Sequence, residues 1–142
     1  MKLLEYRLRP NRDYLTGAPW QELYSLTEYW KEELAFYEEE LRFFDNLITR
    51  YEGRDQQGEA LRQMLNDTRQ QIRTLRDQAD THLDHVGKMV RNADNKDDGL
   101  FREEHNVLED NIYAFIGAFR QLKQKLLKTL EHKIPPPDTN RR

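Results

Sequence analysis

The chain of 142 residues contains no cysteine, which excludes disulfides, thiolate metal sites and cysteine nucleophiles. Serine is nearly as scarce. Ser25 stands alone, with no histidine near it in sequence and no glycine-rich turn around it, so a serine-hydrolase nucleophile has no material to be built from. The six glycines are scattered, and neither a Walker-type nor a dinucleotide-type phosphate loop can be assembled from them. Of the five prolines, none lies between Pro19 and Pro135, which leaves the whole middle of the chain open to long helices. No apolar run reaches 18 residues, so no transmembrane helix is expected. The start, Met1-Lys2-Leu3-Leu4-Glu5, has no apolar h-region and predicts no secretory signal. Together with the missing cysteine, these features make a cytoplasmic location the expectation.

What is present is charge. Charged residues make up 35% of the chain and apolar ones 37%, whereas an average globular chain is about 25% charged. Aromatic residues at 11% separate it from disordered chains, which lack them. This balance predicts long helices around a narrow core. The net charge of −3 is unevenly spread: residues 20–52 carry nine acidic and three basic side chains, 97–119 six and one, while 120–142 carry seven basic and two acidic. Most of the surface repels phosphate, which argues against a nucleic-acid partner.

Two zones of turn residues, Gly53-Arg54-Asp55 and Asn92 to Gly99, divide the chain. Pro19 suits a first helical position, and Pro135-Pro136-Pro137 stops the last helix near Ile134. The intervals 19–52, 55–93 and 98–134 each carry a heptad-like apolar seam. In the first it is Leu23, Trp30, Leu34, Tyr37, Leu41, Phe44, Ile48 and Tyr51. In the second it is Leu61, Leu65, Thr68, Ile72, Leu75, Ala79, His82, Val86 and Met89. In the third it is Phe101, His105, Leu108, Ile112, Phe115, Phe119, Leu122 and Leu126. Strands, with their period of two, cannot produce this spacing. Each helix would be about 50–60 Å long, and short connections favour antiparallel neighbours. The predicted fold is therefore all-α: an elongated up-down-up antiparallel three-helix coiled-coil bundle over 19–134, with a short N-terminal arm (1–18) and a Pro-rich, basic tail (135–142). Gly117-Ala118 is expected to allow a close backbone approach.

The architecture resembles spectrin-repeat-like bundles, a likeness that implies no activity. The run Trp30-Lys31-Glu32-Glu33-Leu34-Ala35-Phe36-Tyr37 resembles small bacterial helical-bundle and coiled-coil proteins without an assigned function. That resemblance covers mainly the first helix and carries no functional residue across.

Candidate sites are few. Di-iron carboxylate chemistry in a bundle needs Glu-x-x-His, but Ala79, His82, Arg102 and Thr129 precede the four histidines by three. Carboxylate pairs such as Glu32-Glu33 read as a solvated helix face, so an enzyme is not expected. No cofactor is implied. His82 and His85 share one helix face, and His105 lies on the facing seam. With the hairpin turning near residue 96, His82 comes opposite about residue 110 and His85 opposite about 107. The plainer role of His82 and His105 is that of polar seam residues that set register. The alternative is a divalent-metal site made by His82, His85 and His105. On the first helix a second stripe, Tyr29, Phe36 and Phe43, repeats every seven residues beside Leu26 and Leu47. It is either the margin of a wide buried face or an exposed strip for a protein partner or a second copy of the chain. The expected role is a non-enzymatic one in protein–protein contact, as a homo-oligomer or adaptor.

Overall fold

A computed structural model describes residues 17–51, 56–92 and 94–131. Residues 1–16 of the predicted arm, the predicted tail, and the predicted end of the third helix beyond 131 lie outside these residues. Among the described residues the three regular elements are all helices: α1 spans Trp20–Tyr51, α2 Gln56–Arg91 and α3 Asp98–Leu130. None of them is long and apolar enough to cross a membrane.

Their ends follow from local chemistry. The carbonyl of Pro19 accepts the backbone N–H of Glu22 and Leu23, so Pro19 sits just outside α1 as its cap and not at the first helical position. Between α2 and α3, the Asn95 carboxamide oxygen accepts the Asp97 N–H at 2.8 Å, and the Asp97 carbonyl accepts the N–H of Phe101. Such side-chain-to-backbone bonds are what make Asn and Asp turn and cap formers.

The chain divides into two compact units, each built from a portion of all three helices: residues up to Glu33 with Leu75–Ile112, and Leu34–Thr74 with residues from Tyr113 onward. In unit 1, Lys31 pairs with Asp80 at 2.6 Å and Tyr24 lies beside Gly87, so α1 and α2 run in opposite directions there. The ring of His85 stacks on Phe101 at 4.3 Å, while His82 meets His105, giving the same relation between α2 and α3. The core of unit 1 includes Trp20, Leu23, Val86, Met89 and Phe101. Its α1 and α3 segments are clasped by Asp98, whose two carboxylate oxygens accept the Trp20 indole N–H at 2.8 Å and the Arg102 guanidinium at 3.0 Å. Arg102 in turn donates to the Ala18 carbonyl and lies over the Trp20 ring.

Unit 2 packs Leu34, Leu41, Phe44 and Ile48 of α1 with Leu61, Leu65 and Ile72 of α2 and Phe115, Phe119, Leu122, Leu126 and Leu130 of α3, all buried. Tyr37 contacts the rings of Phe115 and Phe119. Glu38 reaches Arg73 of α2 and Glu40 reaches Lys123 of α3.

The predicted seams are buried nearly throughout, with Tyr37, Tyr51 and Thr68 half-exposed. The step from Leu23 to Trp30 is filled by Thr27, which is buried and donates its hydroxyl to the Leu23 carbonyl at 2.8 Å. One expectation is overturned: Gly117 faces solvent, and an added Cβ there would meet nothing within 4 Å, so Gly117-Ala118 brings no backbones together. The seam passes through Phe115 and Phe119, which rotates residues 117 and 118 to the opposite side of α3.

Candidate functional site

Two of the polar residues buried in unit 1, His82 and His105, form one connected cluster with the half-buried His85 and Glu104. His82 and His85 project from adjacent turns of α2, Glu104 and His105 from neighbouring positions of α3. His82 Nδ1 lies 2.5 Å from Glu104 Oε1, and His82 Nε2 lies 2.7 Å from His105 Nδ1. His85 Nδ1 shares the same carboxylate, 2.9 Å from Oε1 and 3.1 Å from Oε2. Trp30 of α1 stacks on the His105 ring with centroids 4.9 Å apart.

Electrostatics assign the protons. Burial holds His82 below its ordinary pKa despite the opposing hydrogen bond and charge of Glu104. His105 is driven to about 3, mainly by burial and further by the neighbouring His82 and Arg102. Burial pushes Glu104 upward, but the bonds from His82 and His85 outweigh it and leave the carboxyl below its usual value. At neutral pH Glu104 is therefore ionised and both buried imidazoles are neutral. His82 donates Nδ1–H to Glu104, which makes its Nε2 an acceptor, and His105 must donate Nδ1–H to it. The remaining His105 nitrogen, Nε2, is buried without a partner, as is the Trp30 indole nitrogen.

His82 and His105 meet directly, and His85 joins them only through Glu104, in a register displaced from the predicted one. His82 faces His105 and not a residue near 110, because the connection is centred closer to residue 93 than to 96. Both ring nitrogens of His82 are engaged within the cluster. Among the described residues, no group of three or more His, Cys, Asp or Glu is arranged to hold a metal ion. Acid–base catalysis needs contact between the base and a substrate; His82 and His105 are closed to solvent, whereas Glu104 and His85 are partly exposed. The buried His82–His105 pair links α2 to α3 and resists protonation. A groove of about 480 Å³ runs beside it between α2 and α3, with Glu104 on its wall next to Val107 and Leu108, and Asp77, Gln78 and Thr81 across from them.

The second stripe divides. Leu26 is half-buried against the core of unit 1, and Tyr29 is half-buried as well. In unit 2, Leu47 is half-buried, whereas Phe36 and Phe43 are each 58% exposed. Phe36 leans on Tyr37 and Phe43 on Phe44, so each exposed ring has a fixed ring beside it. One apolar neighbour escapes the sequence reading. Glu40 of α1 and Lys123 of α3 pair at 3.1 Å, which pins two helix edges together. Outward along those edges lie Phe36 and Phe43, at i−4 and i+3 from Glu40, and Leu127, at i+4 from Lys123; Leu127 is 49% exposed. The doublet Leu126-Leu127 was the available signal, since only one of two adjacent leucines can point into a seam.

No protein-family model, no curated protein and no solved structure matches this chain.

Proposed function

We propose that the chain acts through protein–protein contact at the Phe36–Phe43 strip of α1, and not as an enzyme. The observation that supports this is the exposure of two phenylalanines, one heptad apart, on a helix whose inward seam is already filled by Leu34, Leu41, Phe44 and Ile48. A phenylalanine carries roughly 150–250 Å² of surface, so on the order of 200 Å² of aromatic surface remains to be covered by a partner. At about 25 cal/mol per Å² that is worth on the order of 5 kcal/mol of association before its costs. Two anchors of this kind, a helical step apart, are the usual centre of an interface.

A photoreactive amino acid placed at Phe36 or Phe43 in the intact chain tests the reading. In its cellular setting, each position is expected to yield a covalent adduct with protein on illumination. A chain that yields no protein adduct at either position would overturn it.

A further inference from the structure

We infer that the partner of this strip is a second copy of the chain, seated about a two-fold axis parallel to the helices so that α1 of each copy lies over α3 of the other. The inference rests on the reading of Phe36 and Phe43 as a contact surface and is drawn entirely from unit 2.

The face has two edges of opposite character. Over residues 34–51 α1 carries four acidic and two basic side chains, Glu38 among them turned to Arg73 of α2; over 113–130 α3 carries four basic and no acidic ones. Glu40 and Lys123 neutralise each other across the seam between them. Outside that pair stand Glu39 on α1, between Phe36 and Phe43, and Arg120 on α3, between Ile116 and Leu127. Both Glu39 and Arg120 are exposed. Glu39 has only a loose contact with Arg42 at 3.6 Å, with both side chains at least 70% exposed, a pairing of little energetic weight.

A face with an acidic edge and a basic edge is complementary to itself under one of the two possible two-folds in its plane. An axis across the helices would lay α1 on α1 and acid on acid. An axis along the helices lays each α1 on the partner's α3, acid on base, which an isologous interface requires of a polar surface. The heights agree with the second arrangement. The pairing of Glu40 with Lys123 sets residue n of α1 level with residue n+83 of α3. Glu39 then falls within two residues of the level of Arg120, or about 3 Å at ~1.5 Å per residue. Phe43 falls within one residue of Leu127, and Phe36 within three of Ile116. Three contacts, apolar at both ends and ionic in the middle, are therefore made twice over by the symmetry.

The test is a charge-swap series on the full chain, read by light scattering across concentration. The wild type is expected to be a dimer whose dissociation constant rises with salt. Glu39→Arg alone and Arg120→Glu alone each place like charges together at two symmetric contacts, and each is expected to weaken dimerisation by roughly tenfold or more. The double variant restores opposite charges and is expected to return to within about threefold of the wild type. Because the chain has no cysteine, a second readout is clean. Phe43→Cys mixed with Leu127→Cys is expected to form a mixed disulfide between copies, and neither variant alone to cross-link with itself. A wild type that is monomeric at every concentration overturns the inference. So does a double variant no better than the singles, or a disulfide that joins Phe36→Cys to Phe43→Cys. A photo-adduct at Phe36 or Phe43 with some other protein would overturn the two-fold pairing while leaving the contact surface itself in place.

Discussion

Lowering the pH from 7.5 to 5.5 should destabilise this chain before its carboxylates titrate, and the buried His82–His105 pair sets the size of the loss. In the unfolded chain each imidazole takes up its proton near pH 6.5. In the folded chain His105 does so only at about 3, and burial holds His82 down as well. Above pH 6.5 both states are neutral and the histidines contribute nothing to the difference. Below it the unfolded state binds protons that the folded state refuses, so stability falls with pH, and for His105 the fall continues toward its folded value. One refused proton is worth about 1.4 kcal/mol per pH unit. Between pH 7.5 and 5.5 the loss is therefore on the order of 1 kcal/mol if only His105 stays neutral and about twice that if His82 does too. Glu104 has the same sign but acts lower. Its depressed carboxyl keeps its charge in the folded state while the unfolded one begins to protonate near its ordinary value of 4.5. Urea unfolding followed by circular dichroism at fixed ionic strength measures this directly, and His105→Phe supplies the control. That variant leaves His82 Nε2 without its donor and is expected to be less stable at pH 7.5, yet to lose less of its stability on acidification. A wild type whose unfolding free energy is flat between pH 7.5 and 5.5 would refute the proton assignment. So would a nitrogen-15 spectrum showing the His105 ring protonated at pH 5.5.

Three further outcomes follow from the packing. Phe36→Glu/Phe43→Glu changes two exposed positions and is expected to retain the helical spectrum and a melting temperature within a few degrees of the wild type, while losing association in light scattering. If it unfolds, these rings belong to the core. Asp98→Ala leaves the Trp20 indole N–H without its acceptor and the Arg102 guanidinium without its carboxylate. It is expected to cost about 1–3 kcal/mol in chemical denaturation, and a loss near zero would mean that solvent replaces the clasp. Gly117→Ala adds a methyl group that meets nothing within 4 Å in the middle of α3, and should raise stability by about 0.8–1 kcal/mol through helix propensity alone; a loss would mean that residue 117 touches a neighbour.

Helix type and inward faces were legible in the residues because the 3.6-residue period leaves a direct record in the spacing of apolar side chains. Leu61, Leu65, Ile72, Leu75, Ala79, Val86 and Met89 are buried as their spacing predicts. Two kinds of feature were not legible. The first is register. Where His82 meets α3 depends on how many residues the turn consumes, and the Asn92 and Asn95 side chains settle that by binding the backbone of Asp94 and Asp97. A shift of a few residues moves His82 from opposite 110 to opposite His105 and brings Glu104 within reach of two imidazoles. The second is the margin of each face. Leu26, Tyr29, Phe36, Phe43 and Leu47 share one stripe and one chemistry, yet only the two phenylalanines are largely exposed, because exposure at the flank depends on how closely the neighbouring helix approaches.

The sequence by itself therefore determined three helices and their seams, since these depend on bonds and spacings within a few residues. Only the tertiary structure decided that Glu104 closes the histidine network and that Phe36, Phe43 and Leu127 flank one ion-paired edge. Those relations join residues nineteen to ninety-one positions apart, and each depends on the axial offset between packed helices, a quantity that no local pattern of side chains encodes.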